Sequence, residues 1–294
     1  MNIHDYLGFL PKRQPDTHKK KCGKIGIIAG SDSMLGAAVL TALGALKSGA
    51  GLIYLMTVKE AVPFINIVHP EIIVIPLTSK DGYLSDISFK EINNNMNKYG
   101  FDVMAVGPGL GREPFITDLV QNLLFSKDIN IPFVLDADAL HSISFSGLKK
   151  LDSDRLVLTP HPGEFKHLFK LDAGHTDKER LNSVEKIVNQ LNQVLVLKGK
   201  NTIVANKEKK YINKSGNPGM ATAGTGDVLT GIIASFIGQG ISLFEAAVLG
   251  VYAHGLAGDK VYAFAGNGLT ATDISNKLPE VLVELGSSKS REKC

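Results

Sequence analysis

The chain has 294 residues, 44% of them hydrophobic and 21% charged, an ordinary balance for a globular protein with a sizeable core. Its 32 Lys and Arg against 29 Asp and Glu give a net charge of +3, and six basic against two acidic side chains fall in residues 1–24, so the remainder is close to neutral and offers no general polyanion-binding surface. No apolar run reaches the roughly 20 residues of a membrane span, the first eight residues lack the basic start and apolar run of a secretory signal, and Cys22 and Cys294 make neither a disulfide framework nor a CxxC metal pattern, so a reducing cytoplasm is expected.

Residues 1–23 read as a basic arm in which Lys19, Lys20 and Lys21 are a solvated run rather than a nucleic-acid contact. Residues 24–30 form a short apolar run closed by glycine, followed by a loop over 31–36 and an Ala/Leu-rich stretch to 48: strand, loop, helix. The alternation repeats, with strands predicted over 51–58, 101–107, 131–136, 155–159 and 194–197 and helices over 113–125 and 176–191. Buried apolar strands alternating with helices indicate an α/β fold, a mostly parallel central sheet with helices on both faces. Residues 202–205 and 210–212, split by a polar 206–209, read as an antiparallel hairpin at the sheet edge. The pattern is helical thereafter, over 227–237, 243–257 and 270–285. No linker or repeat divides the chain, so residues 24–286 are expected to form one domain, ahead of a polar tail over 287–294.

In open α/β sheets ligands sit beyond the carboxyl ends of the strands, which directs attention to the loops there. Seven of the 30 glycines crowd into residues 215–240, and the dense part, GNPGMATAGTGD over 216–227, runs straight into an apolar helix. Glycines before a helix let backbone N–H groups converge on an anion, with the helix dipole adding positive charge. A carboxylate at Asp227 would repel that anion. It reads either as a helix cap or as a general base that deprotonates a hydroxyl attacking a phosphoryl group, while the amides of Gly224, Thr225 and Gly226 hold the developing charge. There is no Walker sequence, and GPGLG at 107–111 does not match GxGxxG, so a nucleotide site here lies outside both common patterns. Asp136 and Asp138 read as caps of a helix beginning near 137, or as groups that reach the site.

Six ordered motifs together resemble one family: GSDSMLGAA (30–38), GPGLG (107–111), LDADAL (135–140), LTPHPGEF (158–165), KGKNT (198–202) and GNPGMATAGTGDVLTG (216–231). They are similar to the ADP-dependent NAD(P)H-hydrate dehydratases of the ribokinase-like superfamily, along nearly the whole chain. The resemblance implies dehydration of the (6S)-hydrate of NADH or NADPH (NADHX, NADPHX), coupled to splitting ADP into AMP and phosphate. Phosphorylation would turn a poor hydroxide leaving group into phosphate, which the ring nitrogen can expel.

By the same resemblance Asp227 is the base, with Gly224, Thr225 and Gly226 as the anion hole. Lys198, Gly199, Lys200, Asn201 and Thr202, with Gly226, hold the nucleotide, while Ala37, Gly107, Gly109, His161 and Asp227 line the hydrate site. Two lysines in a turn after a buried strand suit an anionic ligand, although a basic turn entering a hairpin is the plainer account. Small residues at 37, 107 and 109 would let backbone approach a flat dinucleotide. His161 alone would more often be structural. Glu164 resembles an acidic position that organises Mg²⁺ and phosphate indirectly.

The resemblance further implies a homo-oligomer, with a tetramer as one option, and a separate NAD(P)H-hydrate epimerase, since about 23 residues precede the first strand. Lys198 and His161 are expected on opposite sides of the glycine-rich helix start, one serving the nucleotide and the other the hydrate. The competing readings are a kinase of a small hydroxylated substrate and a non-catalytic nucleotide sensor. The first shares Asp227 and its glycines but not PHPGE (160–164) and GNPG (216–219), and an intact Asp227 argues against the second.

Overall fold

A computed structural model describes residues 2–151 and 155–288; Cys294 and residues 289–294 of the expected tail lie outside them. The elements run β1 (Lys24–Ile28), α1 (Leu35–Lys47), β2 (Leu52–Val58), α2 (Val62–Val68), β3 (Ile73–Leu77), β4 (Ser79–Lys80), β5 (Tyr83–Leu84), α3 (Ser88–Tyr99), β6 (Val103–Val106) and α4 (Pro114–Phe125). They continue with β7 (Phe133–Leu135), α5 (Asp138–His141), α6 (Phe145–Lys150), β8 (Leu156–Leu158), α7 (Pro162–Phe169), α8 (Asp177–Val188), β9 (Val194–Leu197), β10 (Ile203–Ala205), β11 (Lys210–Ile212), α9 (Thr225–Gly238), α10 (Leu243–Ala265) and α11 (Ala271–Ser288). Nine strands make one sheet in the order β11-β10-β9-β8-β7-β6-β1-β2-β3. All neighbours are parallel except β9 with β10 and β10 with β11, the hairpin read from sequence.

The central strands β6, β7, β8 and β9 are buried at every residue, which requires cover on both faces and explains why they read as continuous apolar runs rather than alternating ones. On one side α1, α9, α10 and α11 pack on one another. A second contiguous set is α3, α4, α5 and α7, with α8 against β9 and β10. Local signals place the helix starts. Pro114 and Pro162 occupy first turns, where a missing N–H costs nothing, and Thr176 with Glu179 closes a capping box.

Residues 59–100 held no recognised element, yet they contain β3 and α3. The apolar run of β3 is interrupted by Pro76, tolerated because this is an edge strand, and α3 carries three consecutive asparagines of low helix propensity. The short α7 was hidden by the two prolines at its start. The first 23 residues are not a free arm throughout. Tyr6 and Leu7 are buried, the Tyr6 ring meets Tyr211 and Phe244 at centroid distances of 5.9 and 6.2 Å, and an Arg13 guanidinium nitrogen donates to the Gly49 carbonyl at 2.8 Å. Lys19, Lys20 and Lys21 are exposed. Among the described residues no helix is long and apolar enough to cross a membrane.

Candidate active site

Three parallel strands end on charged residues that converge. Asp136 follows β7, Lys198 follows β9, and β8 leads through Pro160 to His161 and Glu164 at the start of α7. The Asp136 side chain is 1% exposed and both of its oxygens are used: Oδ1 accepts from Lys198 Nζ at 2.5 Å and Oδ2 from Thr230 Oγ1 at 2.7 Å. Lys198 Nζ also lies 3.9 Å from Glu164 Oε2. Burial alone would pull the Lys198 pKa down, but the charges of Asp136 and Glu164 hold it above its ordinary value, so the ammonium stays charged.

The glycine-rich turn delivers the N-terminus of α9 to this cluster. Gly224 takes φ +86°, and Thr225, Gly226 and Asp227 form the first helical positions, whose N–H groups have no partner further back in the helix. Gly224 is the N-cap of α9, and among the described residues no hydrogen bond ties the Asp227 side chain to the helix start. Its pKa is pushed up to about 7, first by burial and then by Asp136, with Glu164 and Asp138 adding and Lys198 opposing. A carboxylate that changes charge near neutrality is suited to general base work. His254 of α10 is buried against the Thr225 carbonyl; burial lowers its pKa to about 4, which keeps the ring neutral behind the turn.

The other predicted residues adjoin this centre. Gly107 takes φ +130°, and a Cβ there would collide with the carbonyl oxygen of Asp136. Gly109 lies against Met34 and Ala37, and the Gly30 N–H donates to the Pro108 carbonyl at 2.8 Å. The small residues at 37, 107 and 109 therefore let loops of the chain approach one another closely. His161 is the N-cap of α7. Its Nδ1 accepts from the N–H groups of Gly163 and Glu164 at 3.0 and 3.2 Å, while its own N–H donates to Glu164 Oε2 at 2.8 Å. That leaves the proton of the neutral ring on Nε2.

Glu164 is thus committed to a capping box and faces Lys198. Among the described residues no group of three or more His, Cys, Asp or Glu side chains is arranged to hold a metal ion.

Residues 25–280 match the NAD(P)H-hydrate dehydratase family. The chain belongs to that family. It is 40% identical over 281 residues to the bifunctional NAD(P)H-hydrate repair enzyme Nnr of Moorella thermoacetica, covering 94% of this chain and 52% of the relative, and 33% identical to that of Escherichia coli, covering 93% and 50%. The chain spans about half the length of these curated relatives. Among solved structures, the ADP/ATP-dependent NAD(P)H-hydrate dehydratase of Bacillus subtilis, co-crystallised with ATP/Mg²⁺, aligns with a TM-score of 0.81 at 30% identity over 97% of both chains. A hydroxyethylthiazole kinase of Pyrococcus horikoshii, at 13% identity and a TM-score of 0.59, shares the fold.

Set on this dehydratase scaffold, several expectations change. Neither Asp136 nor Asp138 caps a helix with its side chain. Asp136 anchors Lys198, and Asp138 accepts from Gly111 N–H at 2.9 Å and Arg112 Nε at 3.0 Å. Lys198 and His161 do not flank the helix start from opposite sides. β8 and β9 are adjacent strands, the Lys198 N–H donates to the Pro160 carbonyl at 2.9 Å, and both residues meet Glu164. In the turn after β9, Gly199 takes φ +128°, Lys200 is exposed, Asn201 Nδ2 donates to Asp177 Oδ2 at 2.7 Å and Thr202 Oγ1 to the Gly199 carbonyl at 2.9 Å.

Sequence reasoning missed the clamp beneath that turn. Arg180 of α8 is buried and donates to the carbonyls of Leu197, Lys198 and Lys200. No spacing announces an arginine 18 residues upstream. Asp259 was findable only in part: it accepts from Gly216 N–H and Asn217 Nδ2, both at 2.9 Å, and so ties the GNPG loop to α10.

Gly226 has helical φ, so its importance is one of space. A methyl group there would stand 3.2 Å from Lys198 Nζ. Gly226→Ala is expected to fold normally, since alanine favours the helix, yet to push the ammonium off its Asp136 partner. A nucleotide affinity weakened about ten-fold, the cost of one charged hydrogen bond, is the expected result of a calorimetric titration.

Proposed function

We propose that this protein dehydrates (6S)-hydrated NADH and NADPH to the reduced cofactors while ADP is split to AMP and phosphate. The observation that carries the reading is the placement of the half-buried Asp227 carboxylate in the first turn of α9, next to Gly226, which lies against the Lys198 ammonium; burial there pushes its pKa up to about 7. In this reaction Asp227 takes the proton of the hydrate's C6 hydroxyl as its oxygen attacks the β-phosphorus of ADP, and AMP leaves. The ring nitrogen lone pair then expels phosphate from C6, and loss of a proton from C5 restores the dihydropyridine. The free N–H groups of α9 and Lys198 stabilise the charge on the transferred phosphoryl group. Gly199, Lys200, Asn201 and Thr202, braced by Arg180, carry the nucleotide. Ala37, Gly107, Gly109 and His161 border the hydrate.

Mg²⁺ accompanies the nucleotide in this proposal, held by phosphate oxygens and water, because the side chains present offer it no cage. ATP/Mg²⁺ in the Bacillus subtilis relative supports a nucleotide co-substrate here, and ADP is the form proposed. A cytoplasmic setting, which supplies ADP and reduced dinucleotides, fits. A homo-oligomer is favoured by exposed apolar side chains at Phe64, Ile67 and Val68 of α2 and at Ile73 of the adjoining edge strand.

Incubation of the protein with hydrated NADH, ADP and Mg²⁺ tests the reading: absorbance at the dihydropyridine band returns, with AMP and phosphate formed in equal amounts. No return with either ADP or ATP overturns it. Because the base must be ionised, kcat/KM, which reports the free enzyme's groups, is expected to climb as pH rises from 5.5 to 8 with its midpoint about pH 7.

A further inference from the structure

Beside the centre just described, the loops after β6, β7 and β8 gather basic side chains that the reaction leaves unused. Arg112 follows the 107–111 turn, His141 ends α5, and His167 lies on α7, whose cap is His161. The rings of His141 and His167 are 4.4 Å apart. Every charged group facing His141 is accounted for: Arg112, His167 and His161 disfavour its protonation, on top of its burial, and Asp138 alone favours it.

Asp138 is already spent on the Gly111 N–H and on Arg112 Nε, and Glu164 on the His161 cap. The two terminal nitrogens of Arg112 make no hydrogen bond to the described residues, and the side chain is 63% exposed. Pinned through Nε, the guanidinium presents a fixed fork outward, the geometry that binds phosphate in two-pronged fashion. Three basic side chains gathered around a single acidic partner, Asp138, with the terminal nitrogens of Arg112 turned outward, are an arrangement that an anionic ligand completes.

We propose that Arg112, with His141 and His167, forms a phosphate subsite for the dinucleotide portion of the hydrate. The inference rests on the functional reading above, and it places a phosphate group of the substrate over the strand ends β6 to β8, on the side away from Lys200. Two phosphates of that substrate share this chemistry: the diphosphate bridge, present in both hydrates, and the 2′-phosphate, present only in hydrated NADPH.

Two variants of the full chain separate the cases, Arg112→Gln and the double variant His141→Gln/His167→Gln. A KM raised ten-fold or more for both hydrates, with the loss in KM rather than kcat, assigns the diphosphate; the same rise for hydrated NADPH alone assigns the 2′-phosphate. A KM within two-fold of the parent for both hydrates in both variants overturns the proposal. Should Arg112→Gln fail to fold, as judged by circular dichroism, the histidine variant decides.

A second measurement is independent of turnover. Inorganic pyrophosphate added to the parent is expected to shift the ring proton resonances of His141 and His167 toward the protonated form, and to do so far less in Arg112→Gln. Unmoved resonances overturn the subsite even if the enzyme repairs hydrates, whereas shifted resonances without any repair leave the subsite standing and remove the functional reading.

Discussion

Asp227→Asn is expected to bind ADP as the parent does and to lose about 10²–10⁴-fold of the dehydration rate, the range a general base contributes. Asparagine is nearly isosteric and leaves the N–H groups of α9 in place, so the anion cradle survives while the proton acceptor does not. The same substitution is expected to stabilise the fold. The parent carboxylate has a folded pKa of about 7, above its ordinary 3.8, so it costs stability as pH rises between those values, and the full cost persists above 7. The variant should therefore gain most in Tm at pH 8 and little at pH 4. Calorimetric ADP titration, turnover and thermal melts at the two pH values check all three statements. Undiminished turnover would return Asp227 to a structural role.

Lys198→Ala is expected to be the most damaging single change to the fold of the site. Among the described residues it leaves Asp136, 1% exposed, with Thr230 as its only side-chain partner, and breaking a buried ion pair in this way costs about 3–5 kcal/mol. The loss should shrink as pH falls, because an unpaired buried carboxylate is tolerated better when protonated. ADP binding should weaken at least ten-fold as a charged hydrogen bond disappears. Since Glu164 also loses its facing cation and cradles the His161 cap, saturation by the hydrate is expected to suffer as well. Combining Lys198→Met with Asp136→Asn removes both charges. Urea melts should then recover much of the stability while ADP titration does not recover, which separates the structural from the ligand-binding part of Lys198. Recovery of both would show that the ammonium serves the fold alone.

The Asp136 anchor shows how a carboxylate can sit beneath the proposed phosphate site without defeating it. Both oxygens are engaged by donors from neighbouring elements, so its charge is spent inward, and the ammonium it holds is what the site presents. Among the described residues Asp227, in the first turn of α9, has no such hydrogen-bonded partner. Two carboxylates about the same lysine are thereby set to different tasks by their surroundings.

The alternation of buried runs and helical stretches was sufficient for the α/β class, the parallel order of the central strands and the edge hairpin, because those features follow from local periodicity and from burial on both faces. The six motifs were sufficient for the family, since each is a loop at a strand's carboxyl end where backbone geometry constrains residue type. What local pattern could not convey is which side chains meet across loops far apart in the chain. Asp136 reads as a cap until β7 and β9 are aligned on either side of β8, which brings residues 136 and 198 within 2.5 Å. That the Asp136 carbonyl packs against Gly107 is visible only in the fold, and Arg180 reads as an ordinary helix residue until the turn at 197–200 folds over its guanidinium. Periodicity reports burial one element at a time, whereas the charge state of Asp227 is set by its burial at the helix start and then by Asp136, Lys198, Glu164 and Asp138, four residues that only the closed sheet and its crossing helix bring together.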